Sequence, residues 1–584
     1  MKDDNEPPVG GEPPLPPDHS LPSYREPTPE THRKFSRETE AELALKNTIF
    51  APGIPALLIA VFLVTIAAVP LVQFATEIRA AHSIRHIPTF VTFTEPFSRL
   101  RLPHVHHFVD LWRLLPHADE LKSAQKTLEL DSVVAQWLLP RAQSILTEEL
   151  SAGNEQVYLG RHDWLFYRAD VDYVIGQPFL DPFWMRRRTF GAGVQPNAAT
   201  AIVQFRDQLA RRGIDLLVMP VPVKPSIDGE MLALDDDSKR VIENASFQQF
   251  KNQLEKQNVR TFDPAPSLMQ RKTEMGGAPL YLKADTHWRP DTMEFVAQQL
   301  ASNLKLSSSS RPASFEVDEK SITALGDIAR MLKLPAMLAS RYEQNVRIHE
   351  ITVGRSIWRP NKDADLLFLG DSFANIFSLE ALGWGESAGL IEHLSAALGG
   401  RPIDCIVRNS DGAFATREIL NRELARGRDR LAGKKLVIWE FAARELAFGN
   451  WKLLDLKLGH PSPSHFFVPP PGQKVFVTGT VESISPVPLP GSVPYADHIM
   501  AMHLVDLNGE PLQCLVYLWS MRDNKWTPAA RLRPGDKVSM QLQTWSDVSA
   551  QLEKINRSEV DDPATQLEEP CWGELVERAA LSAP

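Results

Sequence analysis

Apolar and polar positions divide this chain into stretches of different texture. The first apolar stretch runs from Asn47 to Thr76 without a charged residue. Its core, IFAPGIPALLIAVFLVTIAAVPLVQFA, exceeds the about 20 apolar residues that cross a hydrocarbon layer ~30 Å thick, and predicts a transmembrane helix over 49–75. Pro52, Pro55 and Pro70 fall towards the ends of the run, where a missing N–H harms a helix least. A cleaved signal peptide fits poorly, because its apolar region of about 7–15 residues stands near the chain start, whereas a long polar stretch precedes this one. A buried core helix would be apolar too, but the length favours a span.

Residues 77–150 read as a mainly helical juxtamembrane region, with AQWLLPRAQSILTEEL apolar at helical spacing. From Val157 the texture alternates. TAIVQFRDQLARRG reads as an amphipathic helix ending at Gly213, and IDLLVMPVPVKP as an apolar strand punctuated by prolines. FQQFKNQLEKQN and DTMEFVAQQLASNL read as helices, with the strand and turn VRTFDPAPSL between them. DADLLFLGDSF is a buried strand entering a tight turn, and RPIDCIVRNS and KKLVIWEFA are further strands separated by the helical ATREILNRELARGRD. Apolar strands alternating with helices predict an α/β fold, a parallel sheet covered on both faces, over 151–465. In such sheets chemistry gathers beyond the carboxyl ends of the strands. After the linker PPPGQ, residues 470–584 read as a small all-β module, OB-like barrel or sandwich, with turns at Asn508-Gly509 and Pro534-Gly535-Asp536. Such a module either binds a glycan or buttresses its neighbour, and the sequence leaves both open.

At 584 residues the chain exceeds what one hydrophobic core supports. Residues 1–45, rich in proline and charge, predict a disordered cytoplasmic tail, solvated rather than docked. Arg33, Lys34, Arg37 and Lys46 precede the apolar run and only Arg79 and Arg85 follow it closely, so the positive-inside rule keeps the N-terminus in the cytoplasm. The net charge of -10 leaves no basic excess for phosphates, and no nucleic-acid partner is expected. Three cysteines exclude a disulfide scaffold; a Cys514–Cys571 bridge and three free thiols are both compatible with the count. His104, His106, His107 and His117 lack accompanying ligands at metal-binding spacing, so neither a metal nor a cofactor is expected.

Candidate chemistry centres on Ser372 in LLFLGDSFAN. The strand delivers the serine to the sheet's carboxyl edge, Gly370 permits the turn, and the following helix offers N-terminal amides to an oxyanion. Alone, the tetrapeptide is weak, since serines in turns are common. A serine nucleophile needs a base and the base an orienting acid, and KADTHWRP supplies Asp285 and His287 two residues apart. A turn-capping histidine ahead of a helix at Pro290 is the bland alternative for His287.

Together, YLKADTHWRPDTMEFVAQQLA followed by DLLFLGDSFAN resembles the alginate O-acetyltransferase family of the AlgJ/AlgX type, whose SGNH-hydrolase-like domains place Asp-x-His ahead of the serine. VYLGRHDWLFYRADVDYVIG and VIWEFAARELA also look like the family, and the resemblance covers about residues 150–450. It implies an SGNH-like acetyltransferase with Ser372, His287 and Asp285 as its triad, acetylating an exported or cell-surface polysaccharide. With the single span and the charge bias, the domain is expected on the periplasmic side of the inner membrane with single-pass anchoring, and the resemblance implies a multi-spanning membrane acyltransferase that supplies acetyl groups. The Ser372 amide is then the first oxyanion donor, with Asn409 and Gly412 in VRNSDGAF placed for the second and third, although turn chemistry explains that stretch equally well. Trp288 is a candidate sugar-stacking residue or a core tryptophan. Trp439 and Glu440 read as structural, Glu440 pairing with Arg444 across one helical turn. The cytoplasmic tail and terminal β module have no family counterpart, which leaves the polysaccharide open. Three rivals stand beside this reading: an SGNH esterase with the same triad, a non-catalytic glycan-binding scaffold of an export complex, and, against the membrane span, a soluble intracellular hydrolase.

Overall fold

The computed structural model describes residues 53–80, 89, 125, 132–188, 194–232, 240–306, 314–409 except 355, 412–459 except 426, and 466–576 except 489, 491–492, 494, 533–535, 561, 563–564 and 566–567. The proline-rich tail, the histidines at 104–117 and the Pro534-Gly535 turn lie outside the described residues. Two compact units divide at Leu128 and Glu129.

In the first unit, one helix runs from Gly53 to Ala80 with its apolar side chains exposed along most of its length. It is long and apolar enough to cross a membrane. The helix extends through Pro70 and five residues past the predicted end at 75, to Ala80.

The second unit opens with the helix Val133–Glu148, capped by the Ser132 hydroxyl. A small antiparallel pair follows, β1 (Val157–Leu159) with β2 (Leu165–Tyr167). The central sheet takes β3 (Asp215–Val221) and β4 (Arg260–Thr261) from the first half of the domain. An antiparallel excursion intervenes, made of β5 (Phe315–Leu325), β6 (Glu343–Val353) and β7 (Ser356–Ile357). The sheet is completed by β8 (Leu366–Gly370), β9 (Asp404–Val407) and β10 (Leu436–Ala442), in the all-parallel order β4-β3-β10-β8-β9.

The central strands are apolar on both sides, apart from Asp215 and Asp404 at their starts and the buried Glu440, because both faces are covered. Leu217, Met219, Phe368 and Ile438 face one core, while Leu216, Val218, Leu367, Leu369 and Trp439 face the other. The excursion escapes a period-two reading because β5 is largely exposed and carries polar side chains on both faces.

The terminal module contains β11 (Val475–Ile484), β12 (His498–Val505), β13 (Cys514–Arg522), β14 (Lys525–Trp526), β15 (Lys537–Thr544), β16 (Arg557–Ser558) and β17 (Pro570–Leu575). The order β13-β17-β15-β11-β12 closes on itself through β12–β13, forming a five-stranded barrel with β14 and β16 at its margins. The barrel resolves the cysteine question: Cys514 and Cys571 are both buried and free, as is Cys405, which is the free-thiol alternative. Both thiols pack among apolar side chains of the barrel core.

Candidate active site

Ser372 stands where β8 ends, as the first residue of the short helix Ser372–Asn375. Asp371 caps that helix: one carboxylate oxygen accepts the Phe373 N–H at 2.8 Å and the other the Ala442 N–H at 2.7 Å. Its own N–H donates to Glu440 Oε2 at 2.8 Å. The turn is pinned between β8 and β10. A Cβ at Gly370 would come within 2.9 Å of Ala374 and 2.9 Å of Phe368, so the close packing admits only glycine. The Ser372 N–H, first in the helix, lies outside the intrahelical ladder.

Asp285 and His287 occupy a tight loop closed by backbone bonds from Leu282 N–H to the His287 carbonyl (3.0 Å) and from Arg289 N–H to the Leu280 carbonyl (2.9 Å). The helix Pro290–Leu304 then begins with proline at its first position, where no donor is needed. The loop bends so that Asp285 Oδ1 reaches His287 Nδ1 at 2.7 Å and accepts the His287 N–H at 3.0 Å. The other ring nitrogen, Nε2, lies 2.8 Å from Ser372 Oγ. All three side chains are buried.

Around this chain stands a set of residues that no motif announced. Asp285 Oδ2 accepts the Trp384 indole N–H and the Asp327 main-chain N–H, both at 2.9 Å. The Asp327 carboxylate accepts the Thr286 hydroxyl at 2.6 Å and N–H at 2.8 Å, and lies 3.9 Å from His287 Nδ1. Beneath the loop, the buried Lys224 ammonium donates to the carbonyls of Leu165 (2.6 Å), Lys283 (2.9 Å) and Asp285 (3.1 Å). Buried Asp170 pairs with Arg444 at 2.9 Å, and the guanidinium lies near the rings of Tyr167 and Phe373. Asp170 and Arg444 sit inside the family-like stretches, whereas Trp384 and Asp327 carry only the faint signal of a glycine neighbour.

The electrostatics suit a base held ready. Burial pushes the Asp285 carboxyl up, but His287 and the donated hydrogen bonds outweigh it and hold it well below the carboxylate range. Burial lowers His287, yet the Asp285 charge and hydrogen bond, helped by Asp327, leave it above its ordinary 6.5. Burial and the neighbouring Asp285 charge push Asp327 up to about 6. Burial alone brings Lys224 down to about 7. Asp285, His287 and Asp327 also lie close enough to hold a cation, but their facing atoms are already engaged with N–H and O–H donors.

Ser372, His287 and Asp285 are thus brought together. Asn409 is fully buried just past β9, its Oδ1 accepting from Asn375 Nδ2 at 3.2 Å. Gly412 adopts a left-handed backbone (φ +79°) beside Glu445, and positions 410–411 between the two lie outside the described residues. Trp288 is a packed core residue with no face open to a sugar: it is 0% exposed and meets Phe373 edge-on at 5.3 Å. The expected Glu440–Arg444 helical pair is corrected as well. Glu440 lies on strand β10, where its side chain reaches the Asp371 amide, and Arg444 turns to Asp170. Trp439 is a core residue beneath Phe205 and Trp451.

A parallel sheet with a serine beyond its β8 edge, and an Asp-x-His loop earlier in the chain, define an SGNH-hydrolase-like α/β domain. Residues 157–443, just under half of the chain, match the family described as SGNH hydrolase-like domain, acetyltransferase AlgX, so this segment is similar to the alginate O-acetyltransferases. The chain is 26% identical over 185 residues to the probable alginate O-acetylase AlgJ of Pseudomonas fluorescens, covering 31% of this chain and 42% of that protein. It is 28% identical over 192 residues to the AlgJ of Pseudomonas putida, covering 32% and 45%. It therefore spans less than half the length of these curated relatives. Among solved structures, the O-acetyltransferase domain of Pseudomonas putida AlgJ aligns with a TM-score of 0.37 at 22% identity, over 50% of this chain and 93% of that one.

Proposed function

We propose that this protein is an O-acetyltransferase that moves an acetyl group through a Ser372 acyl-enzyme onto hydroxyls of an exported or cell-surface polysaccharide. The 2.8 Å contact between His287 Nε2 and Ser372 Oγ carries the reading, because it joins a nucleophile to a base whose other nitrogen is held by a carboxylate. In the first half-reaction, Ser372 Oγ bonds to the acetyl carbonyl carbon as its proton passes to His287 Nε2. The tetrahedral intermediate collapses, and the leaving oxygen takes that proton. In the second, His287 removes a proton from the sugar hydroxyl as its oxygen bonds to the acyl carbon, and collapse breaks the bond to Ser372 Oγ, which takes the proton from His287. Asp285 keeps the imidazole in the required tautomer and stabilises the imidazolium. The Ser372 amide and the Asn409 side chain serve as oxyanion donors, with Gly412 a third.

The apolar helix Gly53–Ala80 serves in this reading as a single-pass anchor in the inner membrane, with the catalytic domain on the periplasmic side. Activated acetyl donors are cytoplasmic, so a multi-spanning acyltransferase partner hands acetyl groups across.

The full-length protein in detergent, given a chromogenic acetyl ester with and without oligosaccharide acceptors, tests the reading. Release that depends on Ser372 and His287, with acetyl appearing on sugar, is expected. Triad-dependent release into water alone makes the protein an esterase. Equal release from wild type, Ser372→Ala and His287→Ala removes the triad and leaves a scaffold.

A further inference from the structure

The barrel module packs against the α/β domain along several contacts, among them Arg428 with Glu569 and Arg430 with Glu553, and one of them lies at the carboxyl edge of the sheet. Asn556 Nδ2 donates to the main-chain carbonyl of Asn409, and the Arg408 guanidinium donates to the carbonyl of Arg557. Residues 408–409 and 556–557 therefore hold each other reciprocally, and Asn556 is 1% exposed. Ion pairs brace the same seam: Arg422 with Glu559 at 3.2 Å, and Lys554 with the buried Glu392 at 2.8 Å.

What the seam holds is the turn beyond β9. Gly370 of β8 pairs in register with Val407 of β9, so Ser372 and Asn409 each lie two residues past the same rung at the carboxyl edge. Asn409 is gripped from the other side too, its Oδ1 accepting from Asn375 at the end of the Ser372 helix. With that oxygen engaged and the main-chain carbonyl taken by Asn556, Asn409 Nδ2 is left fully buried without a hydrogen-bond partner among the described residues. Native proteins seldom leave a buried amide donor unpaired unless a ligand, water or reacting atom completes it. A donor fixed in advance is worth more to an oxyanion than one that must reorient.

We propose that Asn556 is a positioning residue: the C-terminal barrel holds the Val407–Asn409 turn through it, and so aims the Asn409 side-chain amide at the oxyanion formed on the acetyl carbonyl oxygen. The inference rests on the reading of Ser372 as nucleophile. It gives the barrel a part in the chemical step, separate from any capture of glycan.

A small chromogenic acetyl ester, supplied without sugar, separates these roles, because glycan capture cannot influence its cleavage. Full-length Asn556→Ala is compared with Asn409→Ala, the double variant, Ser372→Ala, and Ser558→Ala as a control in the adjoining strand β16 that spares the Asn556 bond. Asn556→Leu, of similar volume without the donor, and Arg408→Met, which cuts the reciprocal bond, are read in parallel in case alanine prevents folding. The expected result is a fall in kcat of about 10- to 100-fold for Asn556→Ala with KM within about twofold, since small misplacements of a catalytic group cost up to about 100-fold. In the Asn409→Ala background the Asn556 substitution should add nothing. A wild-type rate for the seam variants beside a dead Ser372→Ala overturns the clamp, as does an effect that multiplies in the double variant. An active Ser372→Ala instead brings down the reading beneath it.

Discussion

Replacing Asp327 by asparagine tests whether a second carboxylate tunes the base. Asp327 Oδ2 lies 3.9 Å from His287 Nδ1, with the Thr286 hydroxyl bound to both groups. At that separation two unit charges interact by ~1 kcal/mol in a water-like dielectric and by ~4 kcal/mol at an effective dielectric of 20. Since 1.36 kcal/mol is one pKa unit, the bracket is about 1 to 3 units. Asp327 is itself pushed up to about 6, so it is only partly ionised where the acid limb begins, and the lower end applies. Removing the negative charge disfavours imidazolium, so the His287 pKa falls. The base must be neutral to accept the serine proton, so the acid limb of kcat/KM should move about 1 unit towards lower pH. The assay is a pH–rate profile on an acetyl ester, wild type beside Asp327→Asn. An unmoved limb, or one displaced upward, would refute the argument. Linkage supplies a second readout. A carboxyl whose folded pKa is raised from 3.8 to about 6 gives stability that is present below pH 4 and lost as pH rises through 6. The melting temperature of wild type relative to Asp327→Asn should therefore decline across that interval.

Three further outcomes follow from the same geometry. Asp285→Asn should lower kcat by about 10⁴-fold with little change in KM, because the amide favours the wrong imidazole tautomer; near-wild-type turnover would contradict its orienting role. Burial and the Asp371 charge push the Glu440 carboxyl well above its ordinary value and favour the neutral form, so Glu440→Gln should melt within a few degrees of wild type. Glu440→Ala, which strands the Asp371 amide, should lose about 1–3 kcal/mol in denaturant titration. Lys224 binds its proton less tightly folded (about 7) than its ordinary value of 10.5, so the unfolded state holds more protons between them. Stability relative to Lys224→Met should rise with pH across that window, and a flat difference would place the amine outside the buried network.

Legibility in the sequence followed how local each determinant is. The apolar helix was readable because span length is a property of one uninterrupted stretch. The parallel sheet was readable because a strand covered on both faces is a near-continuous apolar run, as in LLFLG and, but for Glu440, LVIWEFA. Asp285 and His287 were readable because two residues of one loop answer each other at fixed spacing. Trp384 and Asp327, in contrast, act on Asp285 from 99 and 42 positions away, and neither leaves a periodic trace. Glu440 misled for the opposite reason: its four-residue spacing to Arg444 imitates a helical pair, while the strand it occupies sends the side chain to Asp371.

The barrel shows where local reading stops. Its strands and the Asn508-Gly509 turn could be read from alternation, yet the residue that ties it to the Asn409 turn is an asparagine in a short polar segment. Such a residue acquires meaning only from its acceptor, the Asn409 carbonyl, and that acceptor matters only because register sets Asn409 beside Ser372. Sequence patterns report which groups must leave water. They do not report which buried polar groups are left deliberately unpaired, and at this sheet edge the unpaired Asn409 amide is the group whose placement depends on both domains.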